Sequence, residues 1–128
     1  MLVDDHDGTR REMAELIQRH EGWRVVAEAA SGEECLQVFE RATPDLVVMD
    51  ILLPMINGIE VTRKILARRP DSKVLVLSNY DGKTLQRSIR DAGARGYVSK
   101  DQAYEKLIPA ILTVLAGGTC FDEVGRAA

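Results

Sequence analysis

No run of 18 apolar residues occurs in this chain of 128 residues, so no membrane-spanning helix is expected. No charged leader precedes an apolar stretch, so no secretion signal is expected either. Blocks of like charge are missing. The 17 basic and 20 acidic residues leave a net charge of −3, which argues against a nucleic-acid-binding surface within these residues. There are only two cysteines, Cys35 and Cys120, and their spacing suggests neither zinc nor a disulfide framework. Two free thiols in a reducing, cytoplasmic setting are therefore expected. Internal repeats and low-complexity segments are absent. What remains is ordinary: 45% hydrophobic and 29% charged residues, at a length typical of one domain. Such a chain buries about two-thirds of its unfolded surface and needs neither metal nor disulfide to fold.

What recurs along the chain is a short apolar run followed by a helical pattern. The runs are Met1 to Val3, a mixed stretch from Trp23 to Ala29, Leu46 to Met49, Val74 to Leu77, and Gly96 to Val98. Leu46 to Met49 and Val74 to Leu77 do not alternate with polar residues, as expected of strands buried on both faces. Between the runs, apolar residues recur at helical spacing. They are Met13, Leu16 and Ile17; Cys35, Leu36 and Phe39; Ile59, Thr62, Ile65 and Leu66; Leu85, Ile89 and Ala92; and Leu107, Ile108, Ile111, Leu112 and Leu115. Ser31 with Glu34 reads as a capping box, Asp81 as the N-cap of the fourth helix, and Gly93 as the residue that ends it. The order is βα repeated five times. Right-handed crossovers turn that order into a five-stranded parallel doubly wound α/β sheet of flavodoxin-like topology.

Two places fit that plan less well. The first run has only three residues before Asp4, short for a central strand, so the natural strand is expected to begin upstream of Met1. Pro109 lies inside the last helical pattern, where it lacks an N–H and crowds the carbonyl of Glu105. The helix is expected to start near Glu105 or to bend at the proline.

In an open α/β sheet, sites form beyond the carboxyl ends of the strands. Asp4 and Asp5 follow the first run, Asp50 the third, Ser78 the fourth and Lys100 the fifth. Three carboxylates brought together need a cation or a raised pKa. Hard oxygen donors on a compact site favour Mg²⁺ with a phosphate. A metal, a fixed ammonium, a hydroxyl and a carboxylate nucleophile are parts from which phosphoryl transfer to an aspartate can be built.

This set resembles the receiver domain of two-component response regulators. Asp50-Ile-Leu-Leu-Pro54-Met-Ile-Asn57-Gly58 looks like that family's phosphoacceptor loop, and Gly93-Ala-Arg-Gly96-Tyr97-Val-Ser-Lys100 like its fifth-strand motif. The Val3-Asp-Asp-His6 start, Lys100-Asp101 and Leu115-Ala-Gly-Gly118-Thr are closest to the LuxR-type (NarL-like) subfamily. The resemblance covers essentially residues 1–128 as one receiver domain, with 117–128 starting a linker to an output domain. It implies that Asp50 is the phosphoacceptor and that Asp5 binds Mg²⁺ directly. Asp4 would act mainly through water, and the Leu52 carbonyl would complete the ligands. Ser78 and Lys100 would contact the phosphoryl oxygens, and Ser78 with Tyr97 would form the switch. Leu52 and Tyr80 would flank the path of the hydrolytic water, and neither can orient a water as a general base would. Slow self-dephosphorylation is therefore expected. The implied partners are a sensor histidine kinase, docking over the first helix near Arg10 and Met13, and DNA only through a C-terminal helix-turn-helix domain. A phosphorylation-dependent homodimer is also implied. The protein would be a signalling phosphoacceptor and not an enzyme with turnover.

Departures from the family pattern carry expectations too. Asp101 follows the lysine where many members have proline, so a trans bond is expected there. Asp7-Gly8 adds a fourth acid close to the site. His6 reads as a solvated loop residue, His20 as a helix-end base, Cys35 as core, and Tyr97 equally as a half-buried strand aromatic. Gly82-Lys83-Thr84 is not a P-loop, because its first glycine would fall on Leu77. One rival from another class is a haloacid-dehalogenase-type phosphatase using Asp5 and Asp7 in Asp5-His6-Asp7-Gly8-Thr9. That reading leaves Asp50 and its loop unexplained.

Overall fold

The structure, a computed structural model, describes residues 1–80 and 82–121. Five parallel strands form one sheet in the order β2-β1-β3-β4-β5: β1 Leu2–Val3, β2 Glu28–Ala29, β3 Val47–Met49, β4 Val74–Ser78 and β5 Gly96–Ser99. Helices α1 Asp7–Gln18, α2 Gly32–Ala42, α3 Gly58–Arg68, α4 Lys83–Asp91 and α5 Ala103–Leu115 connect and follow them. The five predicted strands and helices all form, in the predicted order. The mixed run from Trp23 shortens to two strand residues, and the first run likewise.

Side-chain alternation explains why the central runs carry no polar residue. Val47, Met49, Val74, Val76 and Tyr97 enter one apolar layer with Cys35, Phe39, Val61, Ile65 and Ile89 from α2, α3 and α4. Val48, Leu75, Leu77 and Val98 enter the other, with Met13, Ile17, Leu107, Ile111 and Val114 from α1 and α5. Both faces of the central strands β3 and β4 are therefore covered, which an alternating polar pattern would forbid.

The helix ends follow local chemistry. Ser31 Oγ accepts from the Glu34 N–H at 3.1 Å, while Glu34 reaches back to the Ala30 N–H at 2.6 Å, one residue before the cap. Gly93 takes φ +101°, and the Gly93 and Ala94 N–H groups donate to Arg90 and Ile89, closing α4 as expected. The predicted cap Asp81 lies outside the described residues; Gly82 stands next to α4. Helix α5 starts at Ala103, upstream of Glu105, after a 3₁₀ turn over Lys100–Gln102, and carries Pro109 on its exposed side. Thr113 Oγ1 donates to the Pro109 carbonyl at 3.0 Å. No cis peptide bond occurs among the described residues, in line with the trans bond expected at Asp101. Residues 122–128 of the expected linker lie outside the description. Of the rest, Gly117 turns the chain at φ +96° and Cys120 pairs beside Gly96 on the open edge of β5.

Candidate functional site

The strand ends meet at one charged edge. Asp50 follows β3 and is 4% exposed, Asp4 follows β1 and is 6% exposed, and Ser78 ends β4 fully buried. Lys100 arrives on the 3₁₀ turn after β5. Its Nζ donates to Asp4 Oδ2 at 2.8 Å and to Asp50 Oδ2 at 2.9 Å. Each carboxylate's second oxygen takes a backbone donor: Ile51 N–H on Asp50 Oδ1 and His6 N–H on Asp4 Oδ1, both at 2.8 Å. The buried charges are thus paired and hydrogen-bonded, the condition under which burial of ions is tolerated.

Gly58 allows this edge to close. A Cβ there would lie 1.8 Å from the Asp50 carbonyl oxygen, so only glycine lets the start of α3 approach the end of β3. The Gly58 N–H donates to the Ile51 carbonyl at 2.7 Å, and Asn57 caps α3 by accepting from Glu60 N–H at 3.0 Å. The sequence Pro54-Met-Ile-Asn57-Gly58 is therefore a turn, a cap and a close approach in succession. Met55 sits at φ +69° in that turn.

Burial pushes the Asp50 carboxyl above the ordinary carboxylate range. The hydrogen bond and charge of Lys100 pull it back, and neighbouring Asp4 pushes it further up. Burial disfavours the Lys100 ammonium, but its bonds to Asp4 and Asp50 outweigh that, so its pKa ends above the usual lysine value. Lys100 is a fixed cation across the physiological range.

Asp4, Asp5, His6 and Asp50 each offer one ligand atom, and these atoms lie within 4.8 Å of one another. His6 Nδ1 is 3.2 Å from Asp5 Oδ1 and 3.5 Å from Asp4 Oδ1, and its ring is exposed as expected. The fourth acid expected from Asp7 does not join them. Asp7 opens α1 and pairs with Arg10 Nη2 at 2.8 Å, because the helix start carries its side chain toward Arg10. The Asp5/Asp7 phosphatase reading therefore loses its second carboxylate, and Asp50, which that reading ignores, is at the centre of the cluster.

Ser78 Oγ accepts from the Tyr80 N–H at 3.1 Å, holding the turn after β4. Tyr97 is buried, more so than the half-buried alternative, and its hydroxyl donates to the Tyr80 carbonyl. Tyr97 and the Ser78 turn are thereby joined through the backbone of one residue, Tyr80. Leu52 and Tyr80 are 57% and 53% exposed on the two loops that rim the edge. Arg10 and Met13 do not form the outer face of α1: Met13 is core, and the Arg10 side chain is 16% exposed and bonded to three partners. Beyond its first turn, the exposed residues of α1 are Arg11, Glu12, Glu15 and Gln18.

Sequence reasoning missed the Arg10–Glu28 pair, 18 residues apart, and the dependence of the Asp50 backbone on Gly58. The first has no local signal. The second was visible as a glycine after an N-cap residue, but its reason is spatial.

Comparison with known proteins agrees with this geometry. Residues 1–112 match the response regulator receiver domain family. The response regulator GacA of Pseudomonas aeruginosa is 38% identical over 117 residues, 91% of this chain and 55% of GacA. The transcriptional activator protein ExaE of Pseudomonas putida is 41% identical, covering 96% of this chain and 58% of ExaE. The chain thus spans about half the length of the curated relatives it matches. A LuxR-family two-component response regulator from Aurantimonas superposes with a TM-score of 0.91 at 40% identity, over 94% of this chain and 86% of that one. The isolated receiver domain of RcsB from Salmonella enterica, at 20% identity and a TM-score of 0.88 over 98% of this chain and 94% of that one, shares the fold. With the carboxylate edge, the doubly wound sheet and these matches together, the chain belongs to the response regulator receiver domain family, among relatives that regulate transcription.

Proposed function

We propose that this receiver domain takes a phosphoryl group onto Asp50. The observation that carries the reading is the Lys100 ammonium bridging buried Asp4 and Asp50 at 2.8 and 2.9 Å. An Asp50 carboxylate oxygen forms a bond to phosphorus while the donor's bond breaks, P–N in a phosphohistidine or P–O in acetyl phosphate. The leaving group departs with the electron pair. Lys100 and Ser78 then face the phosphoryl oxygens, Lys100 as a charge-assisted donor. Hydrolysis reverses the first bond and returns carboxylate and inorganic phosphate.

The donor set is all hard carboxylate oxygen apart from exposed His6, and it fits Mg²⁺. Asp5, Asp50 and the Leu52 carbonyl would hold the ion, with Asp4 acting through water. When bound, it neutralises charge on the phosphoryl oxygens.

Phosphorylation adds charge and acceptor oxygens at Asp50, drawing the Ser78 hydroxyl away from the Tyr80 N–H. The Tyr97 hydroxyl, tied to the same residue, responds, and the surface of α4, β5 and α5 shifts between two arrangements. The physiological donor is a sensor histidine kinase. The output runs through a C-terminal DNA-binding helix-turn-helix domain beyond residue 128, with a phosphorylation-dependent homodimer as the active form. The domain itself has no other turnover, and it works in the cytoplasm. No helix among the described residues is long and apolar enough to cross a membrane.

Acetyl phosphate with Mg²⁺ should add one phosphoryl mass per chain to the parent and none to Asp50→Asn, with the hydroxylamine lability of an acyl phosphate. Full, acid-stable labelling of Asp50→Asn would overturn the assignment. Continuing hydrolysis of a generic phosphate ester would favour the phosphatase reading.

A further inference from the structure

Asp4 and Asp5 are adjacent, yet they are held differently. The Asp4 carboxylate is clamped by Lys100 and the His6 N–H. Asp5 is exposed, and among the described residues its carboxylate meets only the exposed ring of His6. Its direction therefore depends on the peptide that joins it to Asp4. That peptide is gripped by Arg10. Nη1 donates to the Asp4 carbonyl at 2.6 Å, Nε to Glu28 Oε1 at 2.8 Å and Nη2 to Asp7 Oδ1 at 2.8 Å.

The three bonds run to three elements. Glu28 belongs to β2, whose register with β1 pairs Leu2 with Glu28. Asp7 and Arg10 are on the first turn of α1, and Asp4 follows β1. The guanidinium's planar fork suits such a task, since its donors leave in fixed directions that an ammonium cannot reproduce. The Asp7 and Glu28 carboxylates also offset the charge that Arg10 brings close to an acidic site.

Resting on the proposed Mg²⁺ site at Asp5 and Asp50, we infer that Arg10 is a positioning residue for metal binding: its fork on the Asp4 carbonyl sets the direction in which Asp5 presents its carboxylate. This role separates cleanly from a purely electrostatic one. A positive charge near a dication opposes binding, so if charge were all that mattered, Arg10→Ala would bind Mg²⁺ more tightly and Arg10→Lys would bind as the parent does. Positioning predicts weakening in both.

The test is Mg²⁺ titration of the 128-residue chain, followed by the amide resonances of residues 4–6 and 50–51, with urea unfolding run in parallel. The parent should bind Mg²⁺. Arg10→Lys and Arg10→Ala should each weaken binding about 10-fold, the usual cost of losing an outer-shell support. Arg11→Ala, which removes the same charge from an exposed neighbour, should not. If Arg10→Ala does not fold, Arg10→Lys, which keeps the stem and charge, decides alone. Unchanged or tighter Mg²⁺ binding by the Arg10 variants overturns the inference and leaves the site standing. A parent that binds no Mg²⁺ overturns the site and the inference together.

Discussion

The two apolar layers and the charged edge of the sheet obey different rules. In the layers, Val47, Leu75, Ile65 and Leu107 are each surrounded by hydrocarbon from several elements, and none depends on one particular partner for its burial. At the edge, Asp4 and Asp50 repel each other, and their buried charges are tolerable because Lys100 bridges both. Burial of hydrocarbon is non-directional and roughly proportional to area. Burial of charge is conditional on partners and geometry. The layers therefore stabilise the domain through area, while the stability of the edge is conditional on its pairing.

The largest effect should come from the layers. Ile65, fully buried between α3 and the sheet, should cost about 4 kcal/mol when cut to alanine, read as a lower urea midpoint. The folded fraction should still take a phosphoryl group on Asp50. Loss of labelling in fully folded Ile65→Ala would break the division between layers and edge.

Next comes Lys100→Met, which keeps the stem and removes the charge. It should cost about 3 kcal/mol at neutral pH without divalent metal, because Asp4 and Asp50 are left facing each other. Without the ammonium, the folded-state Asp50 pKa, already raised by burial, rises further above its unfolded value. The folded state then holds protons that the unfolded state releases, so the penalty grows as pH rises and fades as pH falls below the ordinary carboxylate range. Urea unfolding of parent and variant at pH 5 and pH 8 in EDTA should show the larger gap at pH 8. A gap independent of pH would mean that Lys100 contributes packing and not charge. In the parent, Lys100's raised pKa contributes stability that is complete below the usual lysine value and lost as pH rises through the folded one.

The smallest effect is kinetic and leaves stability aside. Leu52 and Tyr80 are more than half exposed on the loops after β3 and β4, so changing them should leave the folded layers alone. Leu52→Asn with Tyr80→Glu should hasten loss of the Asp50 phosphoryl group a few-fold after the donor is removed, by supplying groups that orient water. Equal or slower decay would show that these side chains do not gate the water.

Much of this was legible in the residues. The unbroken apolar runs at Leu46 and Val74 announce strands covered on both faces, because period-2 alternation sends neighbours into opposite layers. Ser31, Glu34 and Gly93 mark helix ends through local hydrogen bonds and a positive φ. Asp4, Asp5, Asp50 and Lys100 stand out because each follows a strand. Asp7 misled: adjacency in the chain suggested a fourth acid for the site, but the first turn of α1 swings it to Arg10. Met13 was legible as core from its place in the apolar stripe with Leu16 and Ile17, and α1 puts it there.

By itself, then, the sequence determined the order of elements, the apolar layers and the identity of the charged residues at the strand ends, because these follow from periodicity, capping and punctuation within a few residues. Only the tertiary structure decided that Lys100 bridges both carboxylates, that Gly58 must be bare where α3 meets the Asp50 carbonyl, and that Arg10 ties β2, β1 and α1 together. Those contacts join groups brought near by the packing of the sheet, and no local rule of the chain encodes a distance between residues 96 or 50 positions apart.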